Sequence, residues 1–193
     1  MKNINKLIST LECKGCDLEG ADLSEADLNG AILNRANLTS ADLSHAFLFE
    51  AFLAYTNLSG ADLTGADLNH SNIRFSDLRE ADLIGTDLSE SDLSQSDLSG
   101  ADLRWADLRW VDFYRAKLRG ANLSHADLTG SDLSEADLSG ANFKKANLTR
   151  ADLRKANLTG AHFIGANLTD IIKDEKKPDT IWLPQCLRKN LEN

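Results

Sequence analysis

From Leu11 to Asp170 the chain divides into 32 consecutive blocks of five residues without insertion or deletion, and apolar and polar residues keep fixed places in each block. The third residue is Leu throughout, except for Cys13, Ile73, Phe113, Phe143 and Phe163. The first is small: Ala in 22 blocks, elsewhere mostly Ser or Thr, and distinctly larger only at Leu11 and Val111. The second is Asp or Asn in 26 of the 32, and the fourth and fifth are variable, rich in Ser, Thr, Gly, Arg and Glu.

Residues one to three therefore alternate apolar, polar, apolar, which is the period of a strand with one buried face. Residues four and five turn a corner, and glycines such as Gly20, Gly60, Gly100 and Gly140 at the fifth place suit a turn. A helix does not fit. At about 100° per residue, a spacing of five carries the leucines around the axis and leaves no apolar stripe.

The A(D/N)LXX pattern, as in Ala21-Asp22-Leu23-Ser24-Glu25 or Ala101-Asp102-Leu103-Arg104-Trp105, resembles the pentapeptide-repeat family over about five-sixths of the chain. The resemblance implies an all-β fold: a right-handed parallel quadrilateral β-helix, a solenoid with four blocks per coil and about eight coils. At about 4.8 Å per layer it would stand roughly 35 to 40 Å tall. Third-position side chains would then fill four interior columns, one of them running from Leu18 through Leu38 to Leu158.

The open ends of such a stack call for caps, because they leave backbone groups and leucines uncovered. Residues 1–10 carry Ile4, Leu7 and Ile8 at helical spacing and read as an N-terminal cap ahead of the repeat at 11–170. Residues 171–193 hold a charged loop, Lys173 to Lys177, and both prolines, Pro178 and Pro184. The tail beyond, with Ile181, Trp182, Leu183, Leu187 and Leu191, either caps the last coil or joins two molecules end to end, so that the protein is a monomer or an end-to-end homodimer.

A formal charge of −9 disfavours direct nucleic-acid binding, which needs a basic surface. However, 18 of the 30 acidic residues are second-position Asp, so much of that charge follows from the repeat itself. No apolar run approaches the roughly 18 residues that span a membrane, and the first residues lack a secretory signal's hydrophobic stretch. A cytoplasmic protein is expected.

Three cysteines, Cys13, Cys16 and Cys186, suggest no disulfide framework and fit a reducing compartment. Cys13-Lys14-Gly15-Cys16 has the spacing of a metal or redox half-site, but it occupies buried places of the repeat, and no second pair completes a zinc site. The carboxylates share one repeated environment instead of the unlike environments that acid–base chemistry needs. Asx side chains beside turns bond backbone amides, and that is the expected role of Asp22, Asp42 and Asn57. No catalytic residue, cofactor or metal is expected, and the chain reads as a non-enzyme.

Two outward clusters break the repeat's rule. Phe47 and Phe52 replace the second-position Asp or Asn, with Phe49 and Tyr55 beside them and Phe75 twenty residues after Tyr55. Arg104, Trp105, Arg109, Trp110, Tyr114 and Arg115 form the second. Exposed aromatics with Arg are enriched in binding hot spots. The leading expectation is a rigid scaffold that binds a protein partner through these residues. The alternative, which the family resemblance implies, is a DNA-mimicking protein that binds gyrase or a related topoisomerase.

Overall fold

The hydrogen-bonding groups of each block determine how the chain coils. In the computed structural model, which describes residues 2–174, second-position residues pair in parallel with those twenty residues on, as in Asp22 with Asp42 and Asp42 with Asp62. Four blocks therefore complete one coil and the next coil stacks on it. The segment expected to form a C-terminal cap or dimer contact lies, with Cys186, outside the described residues from 175 on.

Backbone donors are satisfied by one scheme, repeated block after block. The first residue donates back across the turn, Ala26 N–H to Leu23 C=O at 3.1 Å. The second donates to the coil below, Asp42 to Ala21 at 2.9 Å, and the third to the coil above, Leu23 to Asp42 at 2.8 Å. The fifth also donates upward, Glu25 to Ser44 at 2.9 Å. Only the fourth N–H lacks a backbone acceptor, and the second-position Asx supplies one: Ser44 N–H donates to Asp42 Oδ1 at 2.9 Å. This gives the Asp/Asn preference its physical reason.

The expected all-β class, a β-helix or solenoid of strands, is corrected by this geometry. Among the described residues there is no strand, sheet or barrel; pairing is confined to isolated single-residue bridges between turns, and the one regular element is a helix. The cause lies in the block length. Two of every five residues are spent in the turn, and all 32 fifth residues are left-handed, with φ between 53° and 73°. The chain bends before a second residue can extend the bridge.

The interior is filled by first- and third-position side chains. Leu38, Leu58, Leu78, Leu98, Leu118 and Leu138 are fully buried, and Phe143 stacks on Phe163 with ring centroids 4.8 Å apart. A fully buried Leu contributes about 1.5–3 kcal/mol. In six of the seven blocks where serine or threonine stands first, its hydroxyl finds a carbonyl, as Ser76 Oγ donates to Leu53 C=O at 2.7 Å and Ser96 Oγ to Ile73 C=O at 2.8 Å; the buried Ser71 Oγ has no partner among the described residues.

The first coil is closed by α1 (Lys2–Thr10), which buries Leu7 and packs Ile4 against the core, with Leu11 of the first block beside them. The absence of disulfides expected from the cysteine count is also corrected: Cys13 and Cys16 are joined, with Cα atoms 5.2 Å apart. A third residue and the next first residue both face inward across one corner, which places their side chains together.

Candidate interaction surfaces

Each coil has four sides, numbered here by their second-position residues: side 1 carries 12 to 172, side 2 carries 17 to 157, side 3 carries 22 to 162 and side 4 carries 27 to 167. Each side ends at an edge made by its fifth-position residues. Side chains at an edge lie along the stack toward the next coil, so neighbours twenty residues apart meet.

The first aromatic cluster is brought together. Phe47 on side 4, Phe49 at the following turn, Phe52 on side 1 and Tyr55 on edge 1 follow one another around a single coil, and Ile32 lies directly below Phe52. All five are exposed. Tyr55 stacks on Phe75 at 4.9 Å with planes 4° apart, Arg35 lies over the Tyr55 ring at 5.6 Å, and Phe49 meets His70 edge-on at 5.7 Å.

Replacing Asx by Phe at positions 47 and 52 removes the acceptor for the fourth N–H of the block. The coil below replaces it. Asn29 Oδ1 accepts from Phe49 N–H at 2.9 Å, and Asn34 Oδ1 accepts from Ala54 N–H at 3.1 Å. Leaving such a donor without a partner costs about 1–3 kcal/mol when buried. Both rings are thus accommodated by a specific second change, an Asn eighteen residues earlier, and that offset is the signal by which the sequence could have disclosed it.

The second cluster is divided among three edges. Trp105 on edge 3 stacks on His125 at 3.9 Å, Trp110 on edge 4 lies over Gly130, and Tyr114 and Arg115 belong to side 1 and edge 1. Its arginines are already engaged. Arg104 pairs with Asp102 at 2.8 Å, Arg109 with Asp107 at 2.5 Å, and Arg115 with Glu135 at 2.7 Å. The two indoles nevertheless remain exposed, at 61% and 56%.

Charge is unevenly distributed along the stack. Residues 11–110 hold 19 acidic and 6 basic side chains, whereas residues 111–170 hold 7 and 8. Local pairing then sorts the carboxylates. Hydrogen bonding to Arg79 holds Asp77 below the usual carboxylate range, and the Ser44 hydroxyl does the same for Asp42. Burial, with the neighbouring charges of Asp92 and Asp132, pushes Asp112 up. Glu135 is lowered by Arg115 and Lys155.

A stack of five-residue turns with an unbroken core and an outer surface of alternating polar columns defines a repeat protein with outward-facing contacts. The family of pentapeptide repeats matches in eight copies over residues 16–53, 48–78, 76–113, 96–134, 106–144 and 131–170, and the chain belongs to that family. It is not an enzyme. HetL, a pentapeptide-repeat protein involved in heterocyst differentiation regulation in the cyanobacterium Nostoc sp. strain PCC 7120, is 37% identical over 86% of this chain and 78% of its own, with a TM-score of 0.61. QnrB1, a plasmid-mediated fluoroquinolone resistance protein, shares the fold at 22% identity, 94% and 88% coverage, and a TM-score of 0.55. No curated protein matches the chain. Among the described residues no helix is long and apolar enough to cross a membrane.

Proposed function

We propose that the protein acts by binding a protein partner along its outer surface, and that the partner's contacting surface is cationic, as in gyrase or a related topoisomerase that ordinarily receives DNA. The observation that carries this reading is the excess of 13 acidic over basic side chains in residues 11–110. A concentrated field of one sign accelerates encounter with a surface of the other and disfavours direct contact with nucleic acid. Such a partner belongs in the cytoplasm. The Cys13–Cys16 pairing argues in the other direction, since disulfides are rare in reducing compartments.

The test is binding of the full chain to purified gyrase, read as inhibition of supercoiling. Inhibition is expected at ~0.05 M salt and lost toward ~1 M, where the screening length falls to about 3 Å. Absence of binding at low salt retires the topoisomerase.

A second reading, a scaffold for a partner of another kind, is favoured by the aromatic residues. Trp105 and Trp110 occupy edges of one coil with their rings outside the core. Replacing both with Ala is expected to leave the circular dichroism spectrum intact while abolishing capture of the scaffold's partner, because truncating an interface aromatic costs about 2 kcal/mol or more.

A further inference from the structure

We propose that side 1 is the docking surface for a single segment of the protein partner, apolar at the end nearer α1 and cationic at the other. This rests on the reading that the chain works by binding a protein, and it adds where and through what chemistry. Side 1 changes character along its length. Ile32 and Phe52 are bridged neighbours, 36% and 48% exposed, and Phe49 and Tyr55 border them from the two edges. Beyond Asn72, the same column continues as Asp92, Asp112, Asp132 and Asp152.

The outer two of these carboxylates are engaged, Asp92 by Arg74 at 3.8 Å and Asp152 by Arg154. Asp112 and Asp132 accept N–H bonds from Tyr114 and Ser134, each at 2.8 Å; among the described residues no cation lies within 4 Å of either carboxylate, and Arg74 and Arg154, which pair with Asp92 and Asp152, reach Asp112 and Asp132 only through their field. Mutual repulsion along the column raises Asp112 further, a cost that an incoming cation would relieve.

The apolar half is unlike a tolerated accident. Phe52 stands where the repeat prefers Asx, its turn amide has been given Asn34 as an alternative acceptor, and the adjacent fourth residue is Ala54, which leaves the ring uncovered. Tyr55 holds a bulky side chain at φ 62°, a conformation that disfavours side chains. Arg35 lies over the Tyr55 ring, as Arg115 pairs with Glu135 at the other end, so the direction of the bound segment is set by the order of the apolar and carboxylate halves. Three coils separate Phe52 from Asp112, about 14 Å at ordinary layer spacing, a distance that about nine residues of helix span.

The probe is a labelled synthetic helical peptide with leucines in one half and lysines in the other, titrated with the full chain by fluorescence anisotropy. Phe52→Asn restores the repeat's own residue, and Asp112→Asn with Asp132→Asn keeps the turn acceptors, so the fold is retained in each. Each variant is expected to weaken binding by about tenfold or more. Asp62→Asn with Asp82→Asn, the same change of charge on side 3, is expected to weaken it by less than about threefold. A peptide with serines in place of leucines should be indifferent to Phe52→Asn. Equal losses from the two Asp pairs, or no loss from Phe52→Asn, overturn the proposal. Peptide binding on side 1 without gyrase binding sinks only the topoisomerase; gyrase binding that is unchanged in the side 1 variants sinks only this surface.

Discussion

Edges 1 and 2 run the length of the same stack, yet edge 2 is mostly glycine and edge 1 mostly long side chains. Edge 2 reads Gly20, Ser40, Gly60, Glu80, Gly100, Gly120, Gly140 and Gly160, while edge 1 after Gly15 reads Arg35, Tyr55, Phe75, Gln95, Arg115, Glu135 and Lys155. Both adopt the same left-handed φ. For a residue with a Cβ that conformation costs about 1–2 kcal/mol. Edge 2 meets the turn's demand with glycine, whereas edge 1 meets it against the backbone's preference in order to hold long side chains. Those side chains then recover part of the cost from one another, Tyr55 stacking on Phe75 and Arg115 and Lys155 both donating to Glu135. The absence of Val, Ile and Thr from every fifth position shows that the restriction still operates, since β-branching makes the left-handed region least accessible.

If the contrast is confined to the surface, the core beneath the two edges should be equally sensitive. Leu133→Ala, next to edge 1, and Leu138→Ala, next to edge 2, both remove fully buried side chains, and each should cost about 2–5 kcal/mol in chemical denaturation. A gap between them larger than the experimental spread would show that the edges differ in depth as well.

A glycine whose Cβ would meet open space should cost less to replace than one that seats a ring. Gly120→Ala on edge 2 adds only the backbone penalty of about 1 kcal/mol. Gly130→Ala on edge 4 adds displacement of Trp110, whose ring occupies the space of the new Cβ, for a total of about 2 kcal/mol or more and a shift in Trp fluorescence. Equal costs would mean that the indole is not seated there.

On edge 1 the reverse change separates backbone cost from side-chain gain. Gln95 holds φ 61° and its side chain makes no hydrogen bond among the described residues, so Gln95→Gly should raise stability by up to about 1 kcal/mol. Tyr55→Gly loses a ring stack worth about 0.5–1.5 kcal/mol and should come out near zero. A clear loss from Gln95→Gly would dissolve the contrast between the edges.

The smallest effect concerns pH. Asp112, raised in the folded state, favours folding when protonated, so its contribution is fully present below the ordinary carboxylate value and is lost as pH rises through the raised one. Asp112→Asn should therefore stabilise at neutral pH, with the gain fading on acidification. Asp77, lowered by Arg79, contributes above the ordinary value and loses its contribution as pH falls through the depressed one. Asp77→Asn should destabilise at neutral pH. Both are partly exposed, and each effect should stay below about 1 kcal/mol.

The sequence disclosed the parts of the fold that are governed by one requirement repeated in every block. Leu at the third place, small residues at the first and Asx at the second each answer a demand that recurs unchanged, so inspection recovers them. The absence of strands was hidden because three alternating residues look like the start of a strand, and only the left-handed fifth residue stops it; Arg35 or Trp110 at that place gives no hint of such a φ. The role of Asn29 and Asn34 was hidden because it joins different positions of different coils. The aromatic cluster around Phe52 was legible as a departure from the rule, while the engagement of Arg104, Arg109 and Arg115 by nearby carboxylates required the three-dimensional register.

The twenty-residue pairing distance also bears on how the chain reaches this structure. Every bridge closes a loop of the same modest length, so no contact between distant parts of the chain must be found before the rest can form. The relative contact order is on the order of 0.1, in the range of fast-folding helical bundles, although the chain is held by backbone pairing between separate segments. Assembly can begin at any well-buried pair of coils and spread to both neighbours, each added coil covering the leucines exposed by the last. The end coils should then be the first to exchange their amide hydrogens, with the middle of the stack the last to open.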